Sequence, residues 1–141
     1  MRIMAIDYGD AHTGIAVSDP TGFLAGFTTV IDAYRPDIVA ERIALLAREH
    51  GAERLVLGHP INMDGTRGPR SEKAQAMRQL LEETTGLPVV LWDERRTTID
   101  AHQILFNSGK NAKKRKKVVD AVAASLILEG YLTYLKNHPE G

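Results

Sequence analysis

Three acids in this 141-residue chain stand where acids are costly. Asp7 closes the apolar run Ile3-Met4-Ala5-Ile6. Glu94 (or its neighbour Asp93) follows the run ending at Trp92, and Asp120 follows Val118-Val119. Each abuts an apolar stretch that belongs in a core, and a carboxylate short of water needs a positive partner. Three carboxylates brought together would repel unless cations bound them. Hard divalent ions with oxygen ligands, Mg²⁺ or Mn²⁺, suit such a set. Two such ions about 4 Å apart can activate water and stabilise the leaving oxygen in phosphodiester cleavage. Spacing alone leaves a second reading open, in which each acid is a cap or a solvated residue at the end of an element.

The elements that must position these acids follow from the apolar pattern. Arg2 to Asp7 reads as a buried strand, Gly14 to Ser18 as a second, and Phe23 to Ile31, β-branched and aromatic, as a third. Short turns between them imply an antiparallel meander. Pro36 opens a helix whose Val39, Ile43, Leu46 and Ala47 share one face, and Gly51 ends it. Arg54 to Leu57 is a short strand, followed by a turn-rich loop from Gly58 to Gly68. Pro69 opens a second helix with Ala74, Met77 and Leu81 on one face, closed by Gly86. Leu87 to Trp92 is the fifth strand. Thr97 with Asp100 resembles a capping box and starts a helix to about Asn107. Ser108 to Arg115 reads as a basic loop, and Val118 to about Asn137 as a long final helix. On that helix Asp120 begins the face of Ala123, Ala124, Ile127 and Tyr131. The later strands alternate with helices, which implies parallel pairing within a mixed sheet. If the strands bearing Asp7 and Glu94 are parallel neighbours, both acids emerge at one edge, the carboxyl ends where α/β sheets place ligands.

Composition narrows the partners. The length suits one domain, taken as residues 1–138, with no repeat or linker. No apolar run approaches the roughly 18 residues of a membrane helix. An acid at position 7 argues against a secretory leader. The chain has no cysteine, which excludes disulfides and thiol catalysis and suits a reducing compartment; the expectation is a cytoplasmic protein. Net charge is zero but uneven. Lys110 to Lys117 holds six basic residues and no acid, while the other 133 residues carry 12 basic and 18 acidic side chains. Such a run suits contact with nucleic-acid phosphates beside Asp120. Aromatic residues total only 6%, which favours recognition of backbone or shape over base stacking.

The motifs resemble a known family. Asp7-Tyr-Gly9, Gly14-Ile-Ala-Val-Ser-Asp19, Gly58-His-Pro60, Asn62-Met-Asp-Gly65, Asp93-Glu-Arg95 with Thr97-Thr98, and Lys114-Arg-Lys-Lys-Val-Val-Asp120 with Ala123-Ala124 resemble the YqgF/RuvX family in the same order. These are pre-16S rRNA nucleases, also described as Holliday-junction-resolvase-like. The resemblance spans nearly the whole chain. It implies a ribonuclease H-like α/β fold, a five-stranded mixed sheet of order 3-2-1-4-5 flanked by helices, with a metal-dependent site of Asp7, Glu94 and Asp120. The expected function is cleavage of structured RNA at the 5′ end of pre-16S rRNA. The rivals are resolution of branched DNA, which would need a symmetric dimer, and nucleic-acid binding without cleavage; monomer or homodimer stays open. Candidate substrate contacts are His12, Asn62, Arg67, Arg70, Arg95, Lys113, Lys114, Arg115 and Lys116. The family usually has arginine where this chain has His12, so phosphate contact at that turn is weaker or dispensable here.

Overall fold

A computed structural model describes residues 1–19, 25–60, 68–93 and 112–138. Five strands form one sheet of order β3-β2-β1-β4-β5. β1 (Ile3–Asp7), β2 (His12–Ser18) and β3 (Ala25–Asp32) are the expected antiparallel meander. β4 (Arg54–His59) and β5 (Val89–Asp93) add to it in parallel. The helices are α1 (Pro36–His50), α2 (Pro69–Thr85) and α3 (Ala112–Asn137). The helix expected from Thr97 to Asn107 lies outside the described residues.

Both faces of the sheet are covered, which explains why β1 reads as an unbroken apolar run. Met4 and Ile6 join Ile15, Val17, Val39, Ile43, Met77 and Leu81 in a core beneath α1 and α2. Ile3 and Ala5 point the other way and join Ala16, Val56, Trp92, Ala124, Ile127, Leu128 and Tyr131 beneath α3. The small Ala5 and Ala16 on that second face leave room for α3 to lie close. Gly51 and Gly86 end α1 and α2 in the left-handed region, at φ 67° and 70°, where a side chain would be strained.

Three of the boundaries that differ from the expectation bear on the site. β2 begins at His12 rather than Gly14, because His12 and Thr13 pair with Asp32 and Ile31 of β3. β4 runs on through Gly58 and His59, because β5 offers Trp92 and Asp93 as partners. α3 begins at Ala112, so Lys113, Lys114, Arg115 and Lys116 lie on helical backbone, not in a loop as expected. Lysine and arginine are good helix formers, and no Gly or Pro interrupts the run between Ala112 and Asp120.

Candidate active site

The carboxyl edge of the sheet gathers three of the residues the sequence nominated, Asp7, Arg70 and Asp120. Asp7 is half-buried at the end of β1. Strand alternation puts it on the side of Ile3 and Ala5, facing α3. Opposite it in the antiparallel register is Gly14. The missing side chain there is a cradle: a Cβ at Gly14 would overlap the main-chain carbonyl of Asp120. α3 therefore rests its Asp120 turn on β2 beside Asp7, and two acids 113 residues apart in sequence are brought to one place. Ala124, Ile127 and Tyr131, one to three turns further along α3, are buried and hold the helix in that register.

Asp93 is placed differently. Val89 and Leu91 of β5 pack with the α1/α2 core, whereas Val90 and Trp92 pack beneath α3. By alternation Asp93 faces the α1/α2 side, paired with His59. It is therefore turned away from the side that Asp7 and Asp120 share. Glu94 and Arg95 lie outside the described residues, as do Asn62 and Arg67. The side chains of Lys113, Lys114, Arg115 and Lys116 are likewise outside them.

A cleft of about 80 Å³ opens on the α2 side of the same edge. Asp7, Tyr8, Gly9 and Asp10 form one wall, Gly58 and Pro60 the floor, and Arg70, Lys73 and Ala74 of α2 the other wall. Arg70, one of the candidate substrate contacts, thus lines the same cleft as Asp7. Lys73 donates to Asp10 Oδ1 at 2.9 Å, tying the turn after β1 to α2. That bond and the lysine's charge hold the Asp10 carboxyl below its ordinary range, with burial opposing and Arg70 assisting. The same partner raises the Lys73 ammonium. Tyr8 packs against the α1/α2 core, on the face opposite Asp7. Burial raises its phenol, partly offset by the Lys73 charge.

α2 is anchored by a buried contact. His59 Nε2 and Ser71 Oγ are 2.6 Å apart, and Gln75 Nε2 donates to the same hydroxyl at 3.2 Å. This joins the end of β4 to the first turn of α2, between Arg70 and Lys73. His12 stands apart from the cleft lining. Its Nδ1 lies 2.6 Å from Asp32 Oδ1 across the β2–β3 pair.

Three residues that position this edge were not among the sequence candidates: Gly14, Asp10 and Lys73. Lys73 had a signal, since it stands three residues after Arg70 on one helix face. Asp10 likewise stands three residues after Asp7. Gly14 had two: it opens the Gly14–Asp19 motif, and it is a glycine within a strand.

Asp7 and Asp120 offer carboxylate oxygens, the donors that a hard divalent ion takes. Among the described residues no group of three or more His, Cys, Asp or Glu gathers, and the third expected ligand, Glu94, lies outside them. Among the described residues no helix is long and apolar enough to cross a membrane.

Known proteins resemble this chain over nearly its full length. Three relatives carry the name "Putative pre-16S rRNA nuclease". One from Halothermothrix orenii is 43% identical over 134 residues, covering 95% of this chain and 96% of its own. One from Bacillus licheniformis is 44% identical over 139 residues, covering 97% and 100%. One from Listeria monocytogenes is 45% identical over 134 residues, covering 94% and 97%. Among solved structures, Thermus thermophilus RuvC in complex with Holliday junction substrate superposes with a TM-score of 0.63 at 15% identity, covering 95% of this chain and 96% of that one. A second Thermus thermophilus RuvC structure gives 0.58 at 16%, with the same coverage. At such identities the likeness speaks to fold alone, and it agrees with the ribonuclease H-like sheet order described above. The family model for RuvX, described as Holliday junction resolvase, matches residues 1–134, and the chain belongs to that family.

Proposed function

We propose that this protein is a metal-dependent nuclease that cleaves phosphodiester bonds of structured RNA, acting at the 5′ end of pre-16S rRNA. The observation that carries this reading is the seating of Asp120 on Gly14, opposite Asp7, at the carboxyl edge of the sheet. The names of the relatives support the RNA substrate. One domain over residues 1–138 carries the activity, and an rRNA-processing role suits the cytoplasm.

Asp7 and Asp120, together with Glu94, would hold one or two Mg²⁺ or Mn²⁺ ions. When bound, such ions supply Lewis-acid polarisation of the phosphodiester and stabilise charge on the leaving oxygen. The protein's own groups do the rest. Asp7 is half-buried, which limits competing water around its carboxylate. Arg70 faces it across the cleft and attracts the phosphodiester backbone. Arg95, Asn62 and Arg67 are further candidate contacts to the substrate. Lys113, Lys114, Arg115 and Lys116 lie within the two turns before Asp120 and draw the nucleic acid toward it. His12 contributes weakly, since its ring is engaged by Asp32.

The test compares precursor rRNA with four-way junction DNA, each incubated with Mn²⁺ and with wild type or Asp7→Asn. Wild type is expected to cut the RNA at a defined position, and Asp7→Asn to bind without cutting. Cleavage of the junction alone would transfer the same chemistry to branched DNA. No cleavage of either substrate by wild type would refute the nuclease reading.

A further inference from the structure

The cleft between β1 and α2 carries an arrangement that the three-acid site does not use. Its cationic wall, Arg70 and Lys73, lies on the α2 side, whereas Asp7 and Asp120 meet on the α3 side. Asp7 belongs to both, so the cleft and the acid pair adjoin at the end of β1. A space of about 80 Å³ admits ordered water or a phosphate group. The cation best placed to fill it is already engaged: Lys73 is bonded to Asp10, and both side chains are well exposed, at 57% and 80%. An exposed ion pair of this kind exchanges partners at little cost.

We propose that this cleft seats a backbone phosphate flanking the scissile one, and that Lys73 leaves Asp10 to bind it. Asp10 is then an internal stand-in for the phosphate, holding the lysine in position while the cleft is empty of substrate. The proposal rests on the nuclease reading, because it needs a phosphodiester strand lying along this edge. It adds two groups, one that recognises substrate and one that competes with it. The anchoring of α2 through Ser71 and His59 keeps the lysine's helix in place during the exchange. Arg70 stays on the same wall and keeps the cleft cationic after Asp10 is displaced.

A structural tether and a substrate seat predict different signs. Binding of a labelled 5′ precursor segment of 16S rRNA is measured in EDTA across a salt series, for wild type, Lys73→Gln, Asp10→Asn and the double variant. Circular dichroism checks that each is folded. Lys73→Gln is expected to weaken binding several-fold and to lower the slope of log affinity against log salt by about 0.7 to 0.9, as one lost phosphate contact does. Asp10→Asn is expected to tighten binding and steepen the slope, because the lysine no longer has to leave a partner. In the Lys73→Gln background that gain should vanish. Weaker binding by both single variants, no change in either, or an Asp10→Asn gain that survives without Lys73 would each overturn the proposal. Cleavage by wild type with Mn²⁺, run in parallel, reports separately on the nuclease reading.

Discussion

Gly14→Ala tests the seating on which the site depends. The added methyl would overlap the Asp120 carbonyl, with the following peptide nitrogen of Ala121 only 3.3 Å away. Both neighbours are main chain, so no side chain can swing aside. To restore an ordinary contact of about 3.5 Å, the start of α3 must retreat by on the order of 1 Å. Overpacking of this kind costs about 1–3 kcal/mol, a fall in Tm of roughly 3–12 °C for a domain of this size. The catalytic effect is read separately: a misplacement of about 1 Å at a reacting centre costs on the order of 100-fold in rate. The assay is kcat/KM for precursor rRNA with Mn²⁺, read beside thermal melts. The control is Gly130→Ala on the same helix, where the new methyl would meet Trp92 Cζ2 at 3.2 Å, far from Asp120. That variant should stay folded and keep activity within a few-fold, because only a side chain has to give, and by a few tenths of an ångström. Near-wild-type kcat/KM for Gly14→Ala, or equal losses in the two variants, would refute the idea that the glycine positions Asp120.

The remaining predictions concern the α2 side. Ser71→Ala removes the hydroxyl that faces buried His59 and receives Gln75, so urea unfolding should show a loss of about 1–3 kcal/mol from the hydrogen bond lost at the buried imidazole. The Asp10 carboxyl is held below its ordinary range by Lys73. Its folded pKa is depressed, so the pair's contribution is present above the ordinary carboxylate pKa of about 4 and is lost as pH falls through the lowered value. Carbon NMR of the Asp10 side chain should place its titration below the ordinary value in wild type and return it toward that value in Lys73→Gln. An unchanged Asp10 titration in that variant would contradict the assignment of Lys73 as the cause.

Much of the architecture was readable because its signals are local. The unbroken apolar stretch of β1 marked a buried strand, and it is covered on both faces, with Met4 and Ile6 on one side and Ile3 and Ala5 on the other. Pro36 and Pro69 mark the helix starts, and Gly51 and Gly86 the ends, because each supplies a backbone geometry that its position demands. The misplaced boundaries were those set by a distant partner. Gly58 and His59 look like loop residues until β5 is laid beside them. The lysine run looks like a loop by charge, although its propensity is helical.

The sequence by itself determined the alternation of elements, the residues that form each core face, and the presence of acids at the ends of apolar runs. Those follow from burial and backbone preference, which act over a few residues. Only the tertiary structure decided which acids share a side. Strand register turns Asp93 toward α2 and Asp7 toward α3, and a missing Cβ at Gly14 admits the Asp120 turn. It also decided that Asp10 and Lys73, 63 residues apart, form a pair at the mouth of the cleft. Such contacts depend on how whole elements pack against one another, and no window of neighbouring residues contains that information.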